Sequence, residues 1–488
     1  MPDAAHRPAV VVVGGGISGL AAALRLAVVC PHARITLLES SPELGGKLRL
    51  GQLAGVQVDT GAESVLNRRP EAVELAHEVG LGDDVRHPAV AAAAVWSRGR
   101  LRPLPPTLLG VPVDLAALAR SGAVSPRGVG RAALDRVLPG RPVGDDPADD
   151  VAVGRLVAQR LGGEVRDRLL EPLLGGVYAG HADALSLQAA APQLLALTRD
   201  GGSLVAAARR ATAPSAGAGE PVPVFAGVVG GVGRLAVAVA DRATRSGVVL
   251  RTGATVRELV PGPRGGWRLT VGRADQPELV EADAVLLATP AAPTARLLER
   301  VLLPAATELR RIDYASVALV SLAVPAARVA SPPPGSGFLV PPVERRDAKA
   351  VTWSSAKWSW VAEQARAAAG PDTVLLRVSF GRHRDVAVLQ RDDTELVDLA
   401  VAELAHTVGL SGRLLDARVD RWGGGLPQYA VGHRGRVERV RRAVAGVAGL
   451  EVCGAAYDGV GVAACIADGQ RAADRLAAGL GTLGTMPA

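Results

Sequence analysis

Runs of apolar residues next to glycine-rich turns mark both ends of the chain. Residues 9–13 (AVVVV) form a continuous apolar run, the pattern of a strand buried on both faces of a parallel sheet. The segment LAAALRLA that follows has the apolar spacing of a helix, and RITLLE, which ends at Glu39, predicts a second strand. Residues 450–477 again predict a strand, a glycine turn and a helix beginning near Val462. These segments predict a parallel sheet with helices packed on it.

The middle of the chain alternates between two patterns. Residues 107–212 have mostly helical periodicity broken by Pro and Gly, whereas strand-like runs occupy 222–290, including PVFAGVVGGVGRLAVAVADRA, and 311–380. The fold class predicted from this order is α/β. It would have a Rossmann-like nucleotide-binding domain built from three discontinuous segments (8–82, 221–292, 415–478), a mixed-sheet substrate domain (83–106, 293–414) and a mostly helical insertion (107–212) that faces a membrane surface or a partner.

Composition and charge narrow the ligand class. With 488 residues, 48% of them apolar, the chain can bury several cores. The net charge of +7 comes almost wholly from arginine, because the chain has only three lysines. The arginines are dispersed rather than clustered, which argues against nucleic acid as a partner. Scattered guanidiniums suit a small anionic ligand, since their fork matches a carboxylate.

Cysteine usage and targeting signals indicate a cytoplasmic protein. Cys30, Cys453 and Cys465 form neither a C-x-x-C pair nor an even framework, so we expect reduced thiols and no structural metal. The N-terminus MPDAAHRPAV lacks the apolar stretch of a signal peptide. No uninterrupted apolar run reaches the length of a transmembrane segment, which leaves at most contact with a membrane surface.

The glycines after the first strand predict a dinucleotide site. In the pattern G-x-G-x-x-G, Gly14 permits a tight turn, Gly16 lets the backbone approach a pyrophosphate, and Gly19 lets the helix pack on the strand. The N–H groups at the helix start face the phosphates. Glu39 follows Gly19 by about 20 residues, the spacing of an acid that accepts from ribose hydroxyls.

Further glycine turns favour a flavin over a nicotinamide cofactor. SPELGGKLRL (41–50) has a glycine pair directly after the ribose acid, and VDTGAES (58–64) has a third glycine turn. The helix predicted to begin near Val462 directs the positive end of its dipole at the Gly459–Gly461 turn, where it suits the N1–C2=O edge of an isoalloxazine. E-x5-GGK and DTGAES together resemble the flavin-binding signature of the amine oxidase and protoporphyrinogen oxidase superfamily.

More specific stretches refine the resemblance. They are EPLLGGVYAGHADALSL (171–187), TWSSAKW (352–358), RWGGGLPQYAVGH (421–433) and CGAAYDGVGVAACIADG (453–469). With these, nearly the whole chain resembles the oxygen-dependent coproporphyrinogen III and protoporphyrinogen IX oxidases of the Gram-positive, actinobacterial-like type. The resemblance implies FAD as cofactor, in contact with Gly14, Gly15, Gly16, Ile17, Ser18, Gly19, Glu39, Ser40, Gly46, Lys47, Gly61, Ala62, Glu63, Ser64, Val256, Trp422, Val460, Gly461 and Val462.

The activity that the resemblance implies is the oxidation of coproporphyrinogen III to coproporphyrin III in haem synthesis. Six electrons leave the substrate in three flavin cycles, each ending with O2 reduced to hydrogen peroxide. The flavin carries the chemistry, so no protein side chain is expected to be catalytic, and His181, His383 and His433 are interpreted as structural or solvent-facing. The implied partners are the porphyrinogen, O2 and the next haem-pathway enzyme, a ferrochelatase.

Four residues are candidates for holding the substrate. Arg68 and Arg69 lie just beyond the GAES turn, and in the resembling family a basic residue at the second of these positions faces the substrate. Lys357 and Tyr178 lie in the family-specific stretches. An arginine-rich cleft favours coproporphyrinogen, with four carboxylates, over protoporphyrinogen, with two.

Alternative functions remain open at this point. They are a protoporphyrinogen IX oxidase, a flavin amine oxidase, a carotenoid desaturase-like enzyme and a silent flavin-binding partner of the haem pathway. One departure from the family pattern motivates the last of these. The turn after GVG reads Val-Ala-Ala-Cys where the family usually has Ile-Pro-Asp-Cys, so the aspartate that would cap the helix is absent. Loss of such a cap costs about 1 kcal/mol, and we expect flavin binding to survive it.

Overall fold

The computed structural model describes residues 7–138, 140–213, 223–263, 265–332 and 335–483. The start of the predicted second nucleotide-binding segment, residues 221 and 222, lies outside this part of the chain, as do residues 1–6, which precede the predicted first segment.

Among the described residues, strands occur before residue 113 and after residue 224. In order they are β1 (Ala9–Val13), β2 (Arg34–Leu38), β3 (Leu50–Leu53), β4 (Val56–Asp59), β5 (Val65–Leu66), β6 (Val85–Arg86), β7 (Ala94–Ser97), β8 (Arg100–Pro103), β9 (Thr107–Leu108), β10 (Val111–Pro112), β11 (Phe225–Val228), β12 (Val249–Arg251), β13 (Val256–Pro261), β14 (Trp267–Gly272), β15 (Pro277–Ala282), β16 (Ala284–Leu287), β17 (Tyr314–Pro325), β18 (Gly337–Leu339), β19 (Ala348–Trp353), β20 (Thr373–Phe380), β21 (Asp416–Pro427) and β22 (Leu450–Val452).

The α-helices concentrate between residues 115 and 212 and at the C-terminus. In order they are α1 (Ile17–Val29), α2 (Glu71–Glu78), α3 (Leu115–Ser121), α4 (Pro126–Ala133), α5 (Val153–Leu161), α6 (Gly163–Val165), α7 (Glu171–Tyr178), α8 (Leu187–Ala190), α9 (Pro192–Thr198), α10 (Leu204–Thr212), α11 (Gly233–Arg245), α12 (Ala291–Leu298), α13 (Leu303–Arg310), α14 (Ser354–Lys357), α15 (Ser359–Ala369), α16 (Asp393–Val408), α17 (His433–Ala445) and α18 (Val462–Leu483).

A five-stranded parallel sheet has the order β12-β2-β1-β16-β22. Its strands come from three separated stretches of sequence, and β1 lies in the centre because its valines are buried on both faces. Helices α1 and α18 pack closely on one side, since a Cβ on Gly469 would come within 2.2 Å of the Ser18 carbonyl oxygen. The predicted parallel sheet and α/β class are confirmed.

One predicted strand region is wrong. Residues 233–245, within the stretch interpreted as strand-like, form helix α11. Its buried residues Leu235, Ala236, Val239 and Ala240 follow helical spacing, but the frequent valines and alanines obscured that period in the sequence. The helix packs against α1 under the parallel sheet, in the same hydrophobic core.

A second, seven-stranded sheet is mixed, with the order β21-β17-β20-β19-β18-β7-β8. All neighbours are antiparallel except β18 and β7. Helix α16 covers one face, where Val320, Val378 and Phe380 are buried. Strand β21 lies within the predicted third nucleotide-binding segment, 415–478, but pairs with β17 of this sheet, so that segment begins by completing the second sheet.

Helices α3 to α10 form a separate hydrophobic cluster around residues such as Leu161, Leu169 and Leu187. Local caps set their starts: the Asp114 side chain accepts from the backbone at α3, and Ser125 and Ser203 do so at α4 and α10. Between α6 and α7 the helix contains one π turn, Arg166–Leu170. None of the helices in the described ranges has the length and apolar character needed to cross a bilayer.

Candidate functional site

The turn after β1 brings backbone into close contact. The Gly14 N–H donates to the Leu38 carbonyl at 2.8 Å, and Gly14 has a φ of +109° that disfavours a side chain. A Cβ on Gly19 would lie 1.9 Å from the Gly14 carbonyl oxygen, so this residue must be glycine for α1 to pack on the strand. At Gly16, in contrast, a Cβ would meet no atom within 4 Å. Packing within the protein therefore does not require glycine at position 16. A ligand that passes close to this backbone would require it.

The second glycine turn docks on the first. The Gly45 N–H donates to the Gly15 carbonyl at 2.8 Å, and a Cβ on Gly46 would lie 3.1 Å from the Gly16 Cα. Lys47 follows directly, and its ammonium makes no hydrogen bond or ion pair within the described ranges. Surrounding protein atoms lower the pKa of Lys47 by desolvation although its side chain still reaches solvent. That combination is expected of an ammonium in a cleft.

Glu39 lies at the end of β2, beside the first turn. Its carboxylate accepts from the Gly15 N–H at 2.6 Å and from the Ser41 N–H at 2.7 Å. The exposed Ser40 hydroxyl donates to it at 3.2 Å. The Ala254 N–H donates to the Glu39 carbonyl at 2.8 Å, which brings the start of β13, with Val256, next to this acid.

The third glycine turn connects both sheets. The Ala62 N–H donates to the Lys47 carbonyl at 3.2 Å, and a Cβ on Gly61 would lie 2.0 Å from the same oxygen. From β21, the Trp422 indole donates to the Thr60 carbonyl at 2.8 Å, with its ring against Gly61. The predicted contacts of this turn and Trp422 therefore lie together.

Glu63 is the electrostatic centre of that turn. It pairs with the Lys357 ammonium at 2.6 Å and with the Arg377 guanidinium at 3.6 Å. Burial alone would raise its pKa, but the two cations outweigh burial and lower the pKa to about 2. Lys357 also lies 3.4 Å from the Ser64 hydroxyl. Lys357, predicted as a substrate contact, is thus committed to an acid of the glycine turn.

Sequence reasoning did not single out Asp59. Its carboxylate accepts from the Val232 N–H at 2.9 Å and from the Gly233 N–H at 2.8 Å, at the start of α11. Burial raises its pKa to about 7. An acid directly before the TGAES turn was the available signal, but its partner lies 173 residues away and no local pattern connects them.

At the C-terminus, the turn before α18 meets the N-terminus of α1. Gly459 has a φ of +143°, and a Cβ on the exposed Gly461 would meet no atom within 4 Å. Val460 and Val462 flank this glycine and are half-buried. The Cys465 thiol lies 3.6 Å from the Gly459 carbonyl, and burial raises the pKa of this thiol to about 11, so it is neutral.

Cys465 also connects the two helix starts. The hydroxyl of Ser18, in the first turn of α1, interacts with the Cys465 thiol and lowers its pKa. The thiol therefore links the two helix starts at the turn that lacks the capping aspartate usual in the resembling family. Ile17 begins α1, so both helices point their unpaired N–H groups at this region.

A buried aromatic group supports the C-terminal turn. The Tyr429 hydroxyl accepts from the Gly459 N–H at 2.7 Å and donates to the Ala455 carbonyl at 2.8 Å. Its ring stacks on His433 at 3.9 Å. Burial lowers the pKa of His433 to about 4, so the imidazole is neutral. Tyr429 was missed because a tyrosine after a Pro-Gln pair carries no motif.

The two arginines predicted near the substrate have different surroundings. Arg69 pairs with Glu71 at 2.9 Å, and its guanidinium lies 4.0 Å from the position of a Cβ on Gly459. Arg68 is exposed. The structure therefore brings Arg69, and not Arg68, to the turn before α18.

Tyr178 and the other two histidines lie at the helical subdomain. Tyr178 is buried, 5% exposed, with its ring 5.5 Å from that of Tyr429. His181 pairs with Glu171 at 3.0 Å, and this hydrogen bond raises the His181 pKa. Burial lowers the pKa of His383. All three have protein partners that account for their positions.

The residues brought together suit a dinucleotide with a ring system. Two glycines, Gly16 and Gly461, leave room beside their backbone at two helix starts, and an acid and a free ammonium lie next to the first of them. Backbone donors and a lysine fit phosphates, and a carboxylate fits ribose hydroxyls. The donor set therefore fits the predicted cofactor class.

Comparison with known proteins places this site in a family. Residues 17–477 match the flavin containing amine oxidoreductases. The coproporphyrinogen III oxidase of Mycobacterium leprae (strain TN) is 38% identical over 469 residues, 96% of this chain and 98% of that protein. The chloroplastic protoporphyrinogen oxidase 1 of Arabidopsis thaliana is 27% identical over 478 residues, 93% of this chain and 85% of that protein.

A solved structure supports the same assignment. The crystal structure of a provisionally assigned protoporphyrinogen oxidase from Exiguobacterium sp. 255-15 superposes with a TM-score of 0.84 and 27% identity, covering 97% of this chain and 99% of that chain. The match spans both sheets and the helical part. The chain is a flavin-dependent oxidoreductase and belongs to the flavin containing amine oxidoreductase family.

Proposed function

We propose that this protein oxidises coproporphyrinogen III to coproporphyrin III with FAD as cofactor and O2 as the final acceptor. The ring loses six electrons and six protons, and three O2 become three hydrogen peroxide, so atoms and electrons balance. When bound, FAD supplies two-electron oxidation of the substrate and passage of electrons to O2. The convergence of three glycine turns, two helix starts and a free ammonium carries the proposal, in a chain 38% identical to a protein of that name.

The N-terminal glycine turns and Glu39 would hold the nucleotide half of the cofactor. Gly16 and the first turn of α1 offer N–H groups to the pyrophosphate, and Lys47 adds a positive charge that no protein acid neutralises in the described ranges. Glu39 accepts hydrogen bonds from backbone N–H groups and has the position to accept from ribose hydroxyls as well. Val256 begins the strand beside it.

The flavin ring would lie where Trp422, the 61–64 turn and the start of α18 meet. The first-turn N–H groups of α18, held by Tyr429 and Cys465, offer donors and a positive dipole end to a carbonyl edge of the ring. The Glu63 ion pairs fix the 61–64 turn against the mixed sheet. These residues orient the ring without a catalytic acid or base of their own.

On the substrate side, Arg69 is the residue that we propose to bind a carboxylate. It lies at the turn before α18 and is 41% exposed, so its guanidinium can pair with an incoming anion in spite of Glu71. Lys357 and Tyr178 have protein partners and would act by supporting the site. A protoporphyrinogen with two carboxylates is the second candidate substrate, since a plant protoporphyrinogen oxidase matches 93% of the chain.

Anaerobic bleaching of the flavin tests the proposal. The purified protein is reconstituted with FAD, and the loss of flavin absorbance is followed after mixing with coproporphyrinogen III, protoporphyrinogen IX or a polyamine without oxygen. We expect fastest bleaching with coproporphyrinogen III and, after oxygen is admitted, three peroxide molecules per porphyrin formed. Bleaching by the polyamine alone would replace the proposal with an amine oxidase.

A control separates cofactor from substrate defects. The variant Arg69→Gln is expected to retain FAD in the same stoichiometry and to bleach more slowly at low porphyrinogen concentration. A preparation that takes up no FAD at all contradicts the proposed cofactor, whatever the substrate.

A further inference from the structure

Lys349 is a buried lysine to which no role has been given. It lies on β19 of the mixed sheet and is 8% exposed. Its ammonium makes no hydrogen bond or ion pair within the described ranges, whereas the ammonium of Lys357, in the short helix α14 that follows β19, is paired with Glu63. Burying an unpaired ammonium is costly, so this lysine either loses its proton or is paired, and an anion from outside the chain can supply that pair.

The strand register places Lys349 at an irregular position. Ala348 pairs with Phe380 and Ala350 pairs with Ser379, so Lys349 is the extra residue of a β-bulge. Bulges redirect a side chain and are frequent beside functional sites. The alternation on the next strand shows the two faces: Arg377 points at the glycine turn, with its guanidinium 2.9 Å from the Gly61 carbonyl, and Phe380 is buried under α16.

The strand register puts the bulge at Lys349 beside the face of Arg377, because Ala350 pairs with Ser379, two residues from Arg377, whereas Ala348 pairs with Phe380 on the opposite face. The charged groups that act on the Lys349 ammonium are Arg382 and Arg377, and both oppose its protonation. Glu403 of α16, on the opposite face, is paired with Arg346 at 2.7 Å. From α7, which packs against β19, Glu171 is bound to His181.

Of these three cations, Lys349 is the uncommitted one. Arg382 donates to the Val340 carbonyl at 3.1 Å and to the Ala348 carbonyl at 3.2 Å. Arg377 donates to the Gly61 carbonyl and pairs with Glu63. Both guanidiniums therefore hold the protein together, and they also raise the local positive potential that an anion at Lys349 would meet.

We propose that Lys349 binds a substrate carboxylate that coproporphyrinogen III has and protoporphyrinogen IX lacks. The inference rests on the proposed function and deepens it, since it names the residue that distinguishes the two rings. Where coproporphyrinogen has a propionate, protoporphyrinogen has a vinyl group. A vinyl group against Lys349 would leave the buried ammonium unpaired, and a site built for a charged group rejects an analogue that lacks its counterpart.

Burial and the two arginines lower the pKa of Lys349 to about 7 in the free protein. A bound carboxylate favours the charged form, so it raises that pKa and binding takes up a proton above pH 7. Binding of the four-carboxylate ring should therefore weaken as the pH rises through 7. The two-carboxylate ring should lack that proton uptake.

The test compares Lys349→Met with Lys357→Met in the FAD-loaded protein. With Lys349→Met we expect kcat/KM for coproporphyrinogen III to fall by about 10- to 100-fold, the range of a hydrogen bond to a charged group, while kcat/KM for protoporphyrinogen IX is unchanged or increased. With Lys357→Met both substrates should lose similarly, because the Glu63 turn is common to them. Equal losses for both substrates in Lys349→Met would overturn the proposal.

A measurement on the unmodified protein covers the case in which Lys349→Met does not fold. Calorimetric binding of the stable product, coproporphyrin III, is measured at pH 8 in buffers of different ionisation enthalpy, with protoporphyrin IX as the comparison ligand. Proton uptake with the first ligand only supports Lys349 as the anchor, and equal uptake with both contradicts it. Failure of both porphyrinogens to bleach the flavin would instead refute the proposed function, so the two failures are distinguishable.

Discussion

The ion pairs of Glu63 give a stability prediction with a calculable magnitude. Its pKa of about 2 lies well below the ordinary glutamate value of about 4.3, because Lys357 and Arg377 outweigh the effect of burial. A tenfold change in an acid dissociation constant is about 1.4 kcal/mol, so the folded state gains roughly 3 kcal/mol at pH 7. The side chain is 11% exposed, so solvent screening reduces this little.

The sign of the pH dependence follows from the direction of that pKa. A carboxyl whose pKa is lowered by folding stabilises the protein fully above its unfolded-state value, about 4.3, and loses the effect as the pH falls towards 2. About 1.5 kcal/mol should remain at pH 3. Acidification should therefore loosen the contact between the 61–64 turn and the mixed sheet.

The assay is urea unfolding of the flavin-free protein, monitored by tryptophan fluorescence. Trp358 lies next to Lys357, so its emission is sensitive to the surroundings of this ion pair. We expect Glu63→Gln to lower the free energy of unfolding at pH 7 by about 3 to 5 kcal/mol, because it leaves two cations without their partner. The difference from the unchanged protein should shrink at pH 3.

Glu278→Gln is the matched control. Glu278 also pairs with an arginine, Arg251, at the short distance of 2.5 Å, but its side chain is 52% exposed. A surface pair of this kind contributes less than about 1 kcal/mol, so the control should unfold nearly as the unchanged protein does. Equal shifts of the urea midpoint by Glu63→Gln and Glu278→Gln would contradict the claim that the buried ion pairs of Glu63 stabilise the protein more than a surface pair does.

Three further predictions concern the cofactor and substrate contacts. Gly16→Ala should leave the thermal stability of the flavin-free protein nearly unchanged, since a Cβ there meets no atom within 4 Å, but it should strongly reduce FAD retention on gel filtration; undiminished FAD retention would contradict the assignment. Tyr429→Phe should weaken FAD binding by roughly 1 to 3 kcal/mol in a fluorescence titration, because the Gly459 N–H and the Ala455 carbonyl lose their shared hydroxyl; equal affinity would count against its role. Arg69→Gln should raise KM for coproporphyrinogen III and Arg68→Gln should not, as measured by porphyrin fluorescence, and the reverse order would exchange their roles.

The sequence predicted the parts of the site whose chemistry is local. Gly14 and Gly19 have fixed spacing because a turn and a helix contact follow each other in the chain, and Glu39 ends the next strand. The ion pair between Glu63 and Lys357 joins residues 294 apart, so no spacing rule finds it. Lys357 was predicted to meet the substrate, and the structure pairs it with Glu63, because a lysine in a family-specific stretch carries no information about which acid it meets.

The secondary structure of residues 233–245 was predicted wrongly for a different reason. Alanine and valine alternate there so densely that both periods fit, and only tertiary packing against α1 decides between them. Asp59 reinforces that choice from 173 residues upstream by accepting from two N–H groups at the helix start. Tertiary packing and a long-range cap thus decided an ambiguous local pattern, and neither can be read from this segment alone.

The three lysines of this chain, among 55 basic residues, all lie where the cofactor or the substrate is proposed to bind. Arginine is also present at the site, but it cannot lose its proton, and its planar guanidinium does not fit where a compact point charge is needed. Lys357 places its ammonium between Glu63 and two aromatic rings, 5.2 and 5.8 Å from their centroids, a space that a planar guanidinium would fill differently. Burial lowers the pKa of Lys349 to about 7, a value that a guanidinium does not reach, so the amine can remain neutral until an anion arrives. The scarcity of lysine therefore follows the chemistry of the cleft: the ammonium is used where charge must be compact, titratable or free to meet a ligand.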